Sequence, residues 1–295
     1  MPLADIAESW LAAHYASLVA WRRHIHRHPE LGRQEFATTQ FVADRLVDAG
    51  LNPKALPGGT GLICDFGPEY APRIALRADM DALPMTERTG LPFASHNPGV
   101  AHACGHDAHT AMALGAATAL ASVPELPVGV RLVFQAAEEL MPGGALDAIA
   151  AGAITGVSRI FALHCDPRLA VGRVAITAGP ITSAADAIEI TLHSPGGHTS
   201  RPHLTSDLVY GMGTVITGLP GVLSRRIDPR HSTVMVWGAA NAGVAANAIP
   251  QIGTLAGTVR TASREAWLEM EDLVRETVSG LLAPLGIEHS LQYRR

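Results

Sequence analysis

"VRLVFQAAEEL", residues 130–140, is the stretch whose reading decides the fold. Val130, Leu132, Val133 and Phe134 form a short apolar run, and Glu138 and Glu139 follow close behind. A run of this length suits a strand buried on both faces. The two glutamates then emerge at the end of a buried strand rather than from a wet helix face. The same grammar recurs in "GLICDFG" (61–67), "RIALRAD" (73–79) and "RIFALHC" (159–165). Helix-compatible stretches lie between them, notably 107–122 and 144–151. Strands alternating with helices predict an α/β sheet covered on both sides.

Working outward, residues 3–50 read as helical. Phe36, Phe41, Leu46 and Val47 fall near one face, and Gly50 is a natural stop. Past "TAGPITS" (177–183) the order changes: strand-like "DAIEITLHS", helical "DLVYGMGTVITGL", strand-like "STVMVWGAA" and "IGTLAGTVRT", a helix over 264–285, and strand-like "IEHSLQYR". That β-α-β-β-α-β succession predicts a ferredoxin-like split βαβ unit. The expected division is 1–182 and 183–295.

Composition narrows the function classes. With 47% hydrophobic and 17% charged residues among 295, a well-buried globular protein is expected. A net charge of −5 gives no broad basic surface, so no nucleic-acid partner is expected. No uninterrupted apolar stretch reaches about 18 residues, so no membrane span is expected. "MPLADIAESWLAAHY" lacks the basic flank and apolar core of a signal peptide. Cys64, Cys104 and Cys165 are too few and scattered for a disulfide framework. The expectation is a cytoplasmic protein with reduced thiols.

The polar residues at strand ends carry the chemistry. Asp79 and Asp81 follow "RIALR", Glu138 and Glu139 follow "RLVFQ", and His164 ends "RIFAL". Such residues gather at one edge of an α/β sheet, where its sites usually lie. "AHACGHDAHT" (101–110) adds His102, Cys104 and His106 at alternate positions, which an extended backbone would point the same way. Thiolate and imidazole suit zinc, and imidazole also serves manganese, cobalt or nickel. The spacing is not that of a zinc finger. The alternative is a polar turn before a helix, with His109 and Thr110 bonding locally and Asp107 capping the helix. Of the adjacent glutamates, one can bind a metal while the other takes a proton from the attacking water. His164 is a further candidate ligand, with Cys165 packed inward. Asp81 either fixes a ligand or the base, or simply forms a turn. His24, His26 and His28 read as structural.

Together, "WRRHIHRHPELGRQE" (21–35), "RADMDALPM" (77–85), "HACGHDAHT" (102–110), "QAAEE" (135–139), "ALHCDP" (162–167), "SPGGHTSRPH" (194–203) and "ANAIPQIGTLAGTVRT" (246–261) carry a resemblance. In this order they resemble the di-metal amidohydrolases of the aminoacylase and carboxypeptidase type, nearest the hippurate hydrolase and indole-acetyl-amino-acid hydrolase group. The resemblance implies a zinc-exopeptidase-like catalytic domain, a mixed sheet flanked by helices, followed by a ferredoxin-like lid and dimerisation domain. Carried over by position, Cys104 bridges two divalent ions (zinc, manganese or cobalt), His106 and His164 bind one, and Glu139 binds the other. Glu138 is then the general base and Asp81 orients a ligand or the base. Such a cation pair lowers the pKa of a shared water and polarises the amide carbonyl.

By the same resemblance, His198 reaches the active site of a partner subunit in a homodimer and stabilises the oxyanion. Asn247 and Arg260 contact the substrate, Arg260 forking onto its carboxylate. On the residues alone, His198 is a loop histidine beside two glycines and Arg260 a strand-end charge. The implied reaction is metal-dependent hydrolysis of the amide bond of N-acyl amino acids or similar small amides. A dipeptidase or aminopeptidase of the same architecture, and a truncated inactive dimer scaffold, are the alternatives. In such relatives the chain continues for roughly a hundred more residues, a size consistent with the rest of a domain, and supplies a further histidine. The expectation here is therefore an incomplete catalytic domain, two divalent ions by the resemblance with as few as one held by this chain, and some apolar sheet surface left uncovered.

Overall fold

The computed structural model describes residues 3–69 and 72–295. The chain forms two compact units, one up to Arg173 and one from Val174. The first contains α1 (Leu3–Arg27), α2 (Phe36–Asp48), β1 (Lys54–Ala55), β2 (Leu62–Phe66), β3 (Arg73–Asp79), α3 (His106–Ala121), β4 (Val130–Gln135), α4 (Ala145–Ala150) and β5 (Val157–Ala162). Its sheet runs β1-β2-β4-β3-β5. β3 lies parallel to both β4 and β5, whereas β2 is antiparallel to β4, so the sheet is mixed.

β4 is buried along its whole length, as its apolar run requires. Leu132 and Phe134 join Leu62 and Cys64 of β2, Val42 and Leu46 of α2, and Leu114 and Ala117 of α3 in one core cluster. The one charge in that run, Arg131, forks onto Asp65 (Nε–Oδ1 2.7 Å, Nη2–Oδ2 2.6 Å) and donates to the Gly152 and Thr155 carbonyls. A charge survives in the strand because its donors are matched. Helix α3 is rich in small residues, and Gly115 shows why. A Cβ there would sit 2.6 Å from Leu18 of α1, so the two helices pack closer than a larger residue allows.

Two expectations need correction. The helical stretch 3–50 is two helices, separated over residues 28–35 by the loop that holds Pro29. β5 was expected to be covered on both faces, yet every residue after Val157 is exposed. It is the edge strand, and Ile160, Phe161 and Leu163 are each more than half exposed.

The second unit contains β6 (Ala184–His193), β7 (Gly197–His198), α5 (Leu208–Arg226), β8 (Val234–Ala242), β9 (Ala248–Ile249), β10 (Ile252–Thr261), α6 (Arg264–Leu282) and β11 (Glu288–Arg294). Its antiparallel sheet runs β11-β6-β10-β8, the ferredoxin-like order, with β6 and β10 in register from Ala184↔Thr261 to His193↔Ile252. Ile188, Ile190 and Leu192 alternate inward from β6 onto Val215 and Leu219 of α5 and Val274 and Val278 of α6. The short β7–β9 ladder is the addition to that plan. Among the described residues no helix is long and apolar enough to cross a membrane.

Asp186 locks this unit. It is 3% exposed, and its oxygens accept from Trp267 Nε1 (3.0 Å) and Tyr293 Oη (2.6 Å), joining β6, α6 and β11. Burial, reinforced by Asp186, pushes the Tyr293 phenol above its ordinary value. Asp186→Ala leaves two donors without their acceptor, and about 3 kcal/mol of stability should be lost in urea unfolding of this unit. An unchanged midpoint would refute the clamp. At the other edge, Phe161→Lys on β5 should suppress concentration-dependent light scattering without lowering Tm. Undiminished scattering would show that β5 is not the sticky edge.

Candidate metal centre

The loaded residues of the first unit lie where parallel strands end. Asp79 closes β3, and Asp81 follows one buried residue later. Glu138 and Glu139 leave β4, His164 leaves β5, and His106 opens α3. The turn before His106 depends on Gly105. Its φ is +93°, and a Cβ there would meet Cys165 Cβ at 3.1 Å, so only glycine both bends and lets the 164–165 loop approach.

His106 is fully buried and held from one side. Its Nδ1–H donates to the Asp81 carbonyl at 2.8 Å, which leaves Nε2 as a lone pair. Nε2 has no hydrogen-bond partner. Around it stand Asp79 Oδ2 at 3.7 Å, Glu138 Oε2 at 3.9 Å and Glu139 Oε1 at 3.9 Å. Cys104 Sγ lies 3.4 Å from His164 Nε2, and the other nitrogen of that ring donates to the Cys165 carbonyl. Two groups of side chains that could hold an ion result, Cys104–His106–His164 and His106–Glu138–Glu139, their nearest atoms within 4.8 Å of one another. A buried, unpartnered imidazole nitrogen facing a thiol and carboxylates suits a divalent transition metal. These residues fit such an ion.

A third cluster, Asp79–His106–His109, is better read as scaffolding. Asp79 Oδ1 accepts from His109 Nδ1 at 2.6 Å and Oδ2 from Arg77 Nη1 at 2.6 Å. His109 Nε2 in turn accepts from the Cys165 amide at 2.8 Å, beside His164. Both ends of the pair are thus already engaged. Asp81 holds the opposite wall, its Oδ2 accepting the Glu139 amide at 2.9 Å.

The charges follow from this packing. Burial pushes Asp79 up, but the His109 hydrogen bond and then the Arg77 charge outweigh it and hold the carboxyl at about 2. Burial and then the neighbouring Glu139 charge raise Glu138 above the ordinary carboxylate range. Burial, followed by Glu139, pushes the Cys104 thiol up to about 12. A cation among these groups relieves the repulsion that raises the last two.

Several expectations shift. His102 does not point with Cys104 and His106; its buried ring stands 6.4 Å from that of His26, and α3 begins before alternation can continue. Asp107 caps nothing. Gly105 is the cap residue, and Asp107 accepts from Arg22 (2.6 Å) and His26 (2.8 Å) of α1. Cys165 is exposed rather than packed inward, because β5 ends three residues earlier. His109 and Thr110 bond to Asp79 across the fold, not locally. Glu35, unassigned from the sequence, is fully buried and accepts the Ala137 amide at 2.6 Å. Its only sequence signal is its place in "HPELGRQE", a run rich in polar residues ahead of α2.

In the second unit, β7 and β9 pair His198 with Ala248, and the Thr199 amide donates to the Asn247 carbonyl at 3.1 Å. His198 and Asn247 are therefore neighbours. Arg260 is exposed near the far end of β10, eight residues beyond Ile252, a rise of roughly 27 Å.

Comparisons with known proteins complete the picture. The family model described as "Peptidase family M20/M25/M40" matches residues 75–283. A Rhodococcus jostii protein provisionally named glutamate–cysteine ligase 2-3 is 57% identical over 278 residues, covering 94% of this chain and 35% of its own. N-acetyl-L-cysteine deacetylase of Bacillus subtilis is 40% identical over 250 residues, 84% of this chain and 60% of its own. Other relatives are named N-acyl-L-amino acid amidohydrolase (Geobacillus stearothermophilus) and IAA-amino acid hydrolase ILR1-like 4 (Arabidopsis thaliana). The crystal structure of the Bacillus subtilis YXEP protein, described as a dinuclear metal binding peptidase from the M20 family, matches with a TM-score of 0.80 at 35% identity. It covers 96% of this chain and 74% of that one. The chain thus spans about a third of the first relative and three fifths of the second. With 75–283 inside the family match, the chain belongs to the peptidase family M20/M25/M40.

Proposed function

We propose that this chain carries the machinery for metal-dependent hydrolysis of the amide bond of N-acyl amino acids. The observation that carries the reading is the buried, unpartnered His106 Nε2, faced by two carboxylates from the end of β4. Cys104, His106, His164 and Glu139 would hold divalent cations, with zinc, manganese or cobalt as the candidates. Bound cations supply Lewis acidity toward the amide carbonyl and make water a stronger acid.

Glu138 is the proposed general base. Its side chain is 41% exposed, so water can reach it, and its Oε2 stands 3.9 Å from His106 Nε2, beside the proposed ions. It takes the proton of the attacking water and passes one to the departing amine. Asp81 positions both walls, through its carbonyl on His106 and its carboxylate on the Glu139 amide. His198 is proposed to donate to the oxyanion in a partner protomer's site, the second unit serving as lid and dimer contact. Its Nδ1 accepts from the Ser200 amide at 3.1 Å, which puts the ring proton on Nε2 as that role requires. Asn247 and Arg260 are proposed substrate contacts, Arg260 for the carboxylate. A cytoplasmic setting, which would keep the Cys104 thiol reduced, belongs to the same proposal.

For the amino acid we propose cysteine. One relative is named a deacetylase of N-acetyl-L-cysteine, and another, which contains a matching segment, is named for joining glutamate to cysteine. Free cysteine links the two names.

The test is direct. The 295-residue chain is stripped with chelator, reloaded with zinc, manganese or cobalt, and supplied with N-acetylcysteine, N-acetylmethionine and N-benzoylglycine. Turnover should appear only after reloading and be fastest on N-acetylcysteine. Metal-loaded protein that hydrolyses none of the three would overturn the reading; a preference for another amino acid would overturn only its last step. Glu138→Gln should lower kcat by about a hundredfold or more while bound metal per chain stays the same. Full activity in that variant would remove Glu138 as the base.

A further inference from the structure

Glu35 is a buried carboxyl that the proposed reaction does not use. It is 0% exposed, and it stands at the N-cap position of α2 without capping that helix. Glu30 does the capping instead, accepting from the Ala37 amide (3.1 Å), the Thr38 amide (2.7 Å) and the Thr38 hydroxyl (2.8 Å). Glu35 turns inward, and its Oε1 accepts from the Ala137 amide at 2.6 Å, across 102 residues of chain. Its other oxygen is buried and unpartnered. Burying a carboxyl for one hydrogen bond is costly, so that bond has to matter to the fold or to the site.

What it holds is unusual backbone. Ala137 has φ +51°, a left-handed conformation that costs a non-glycine residue about 1–2 kcal/mol. The same residue's carbonyl accepts from the Gly144 amide at 2.9 Å, so the turn is pinned from both ends. Gly32 allows the approach, since a Cβ there would lie 2.9 Å from Leu140 and 3.2 Å from the Ala137 Cα. The residues that follow the turn are Glu138 and Glu139. In an extended strand neighbouring side chains diverge. Here both carboxylates stand 3.9 Å from the same His106 nitrogen.

We propose that Glu35 is a positioning residue of the centre: through the Ala137 amide it sets the left-handed turn that brings Glu138 and Glu139 to one side. Its importance to catalysis rests on the function proposed above; its control of the turn does not.

Three variants of the full chain test this, read first without metal by amide hydrogen exchange. Glu35→Leu removes the acceptor, and exchange over residues 136–140 should accelerate about tenfold or more while 130–134 in β4 stays protected. Glu35→Gln keeps a carbonyl for the Ala137 amide and should exchange like the parent. Glu35→Leu combined with Ala137→Gly, which adopts positive φ without cost, should regain most of the protection. Cobalt binding, followed by absorption, should weaken about tenfold in Glu35→Leu and recover in the other two. Parent-like exchange in Glu35→Leu overturns the proposal. Equal damage in Glu35→Gln, or loosening throughout the unit with no recovery in the double variant, does so as well. If exchange follows the expected pattern but the parent chain neither binds cobalt nor hydrolyses amide, the proposed function fails and the positioning role stands.

Discussion

The Asp81 carbonyl on His106 Nδ1, at 2.8 Å, is the contact around which the first unit's site is arranged. It decides which nitrogen carries the proton, and so leaves a bare lone pair on a residue with no access to water. A buried acceptor of that kind is unfavourable alone. It becomes tolerable beside a cation, and the thiol and carboxylates around it point to the same requirement. The loops serve this arrangement. Asp79 and His109 anchor the Cys165 amide beside His164, Asp81 anchors Glu139, and Glu35 anchors Ala137.

The support extends to the helices through charge as well as packing. Asp107, buried one residue after His106, accepts from Arg22 and His26 of α1, and His26 also meets Glu87 at 3.1 Å. Burial pushes the Asp107 carboxyl up, and the His26 hydrogen bond with the Arg22 charge pulls it down further. A helix whose first turn carries His106, a candidate ligand, is thereby fastened to the helix beneath it. Gly115 permits the close crossing that makes these side chains reach. The stretch "WRRHIHRHPELGRQE" therefore supports the centre at two points, through Arg22 and His26 on α3 and through Glu35 on the turn after β4.

Much of this was legible from residue order. Apolar runs ending in Asp79, Glu138 and His164 predicted parallel strand ends converging on one edge, and Cys104, His106, Glu139 and His164 do converge there. The ferredoxin-like order of the second unit was legible for a similar reason, since alternation in "AIEITL" and the helical spacing of 264–285 are local properties. Other features were not. The helix-cap reading of Asp107 was reasonable locally, but its partners lie more than eighty residues away. Exposure of β5 could not be read from "RIFAL", because an apolar run looks the same at the centre of a sheet as at its edge.

What the sequence determined by itself was the set of donors and the periodicity of each element, because these depend on neighbours a few residues apart. Tertiary structure alone decided which nitrogen of His106 faces the carboxylates, that His102 lies against His26 while His109 bridges Asp79 and the Cys165 amide, and that Ala137 adopts a left-handed turn under Glu35. The physical reason is that each of these depends on a hydrogen bond or burial contact between residues distant in sequence. A tautomer, a strained φ or an unpaired buried atom has no local pattern. It exists only once the chain has brought its partners together.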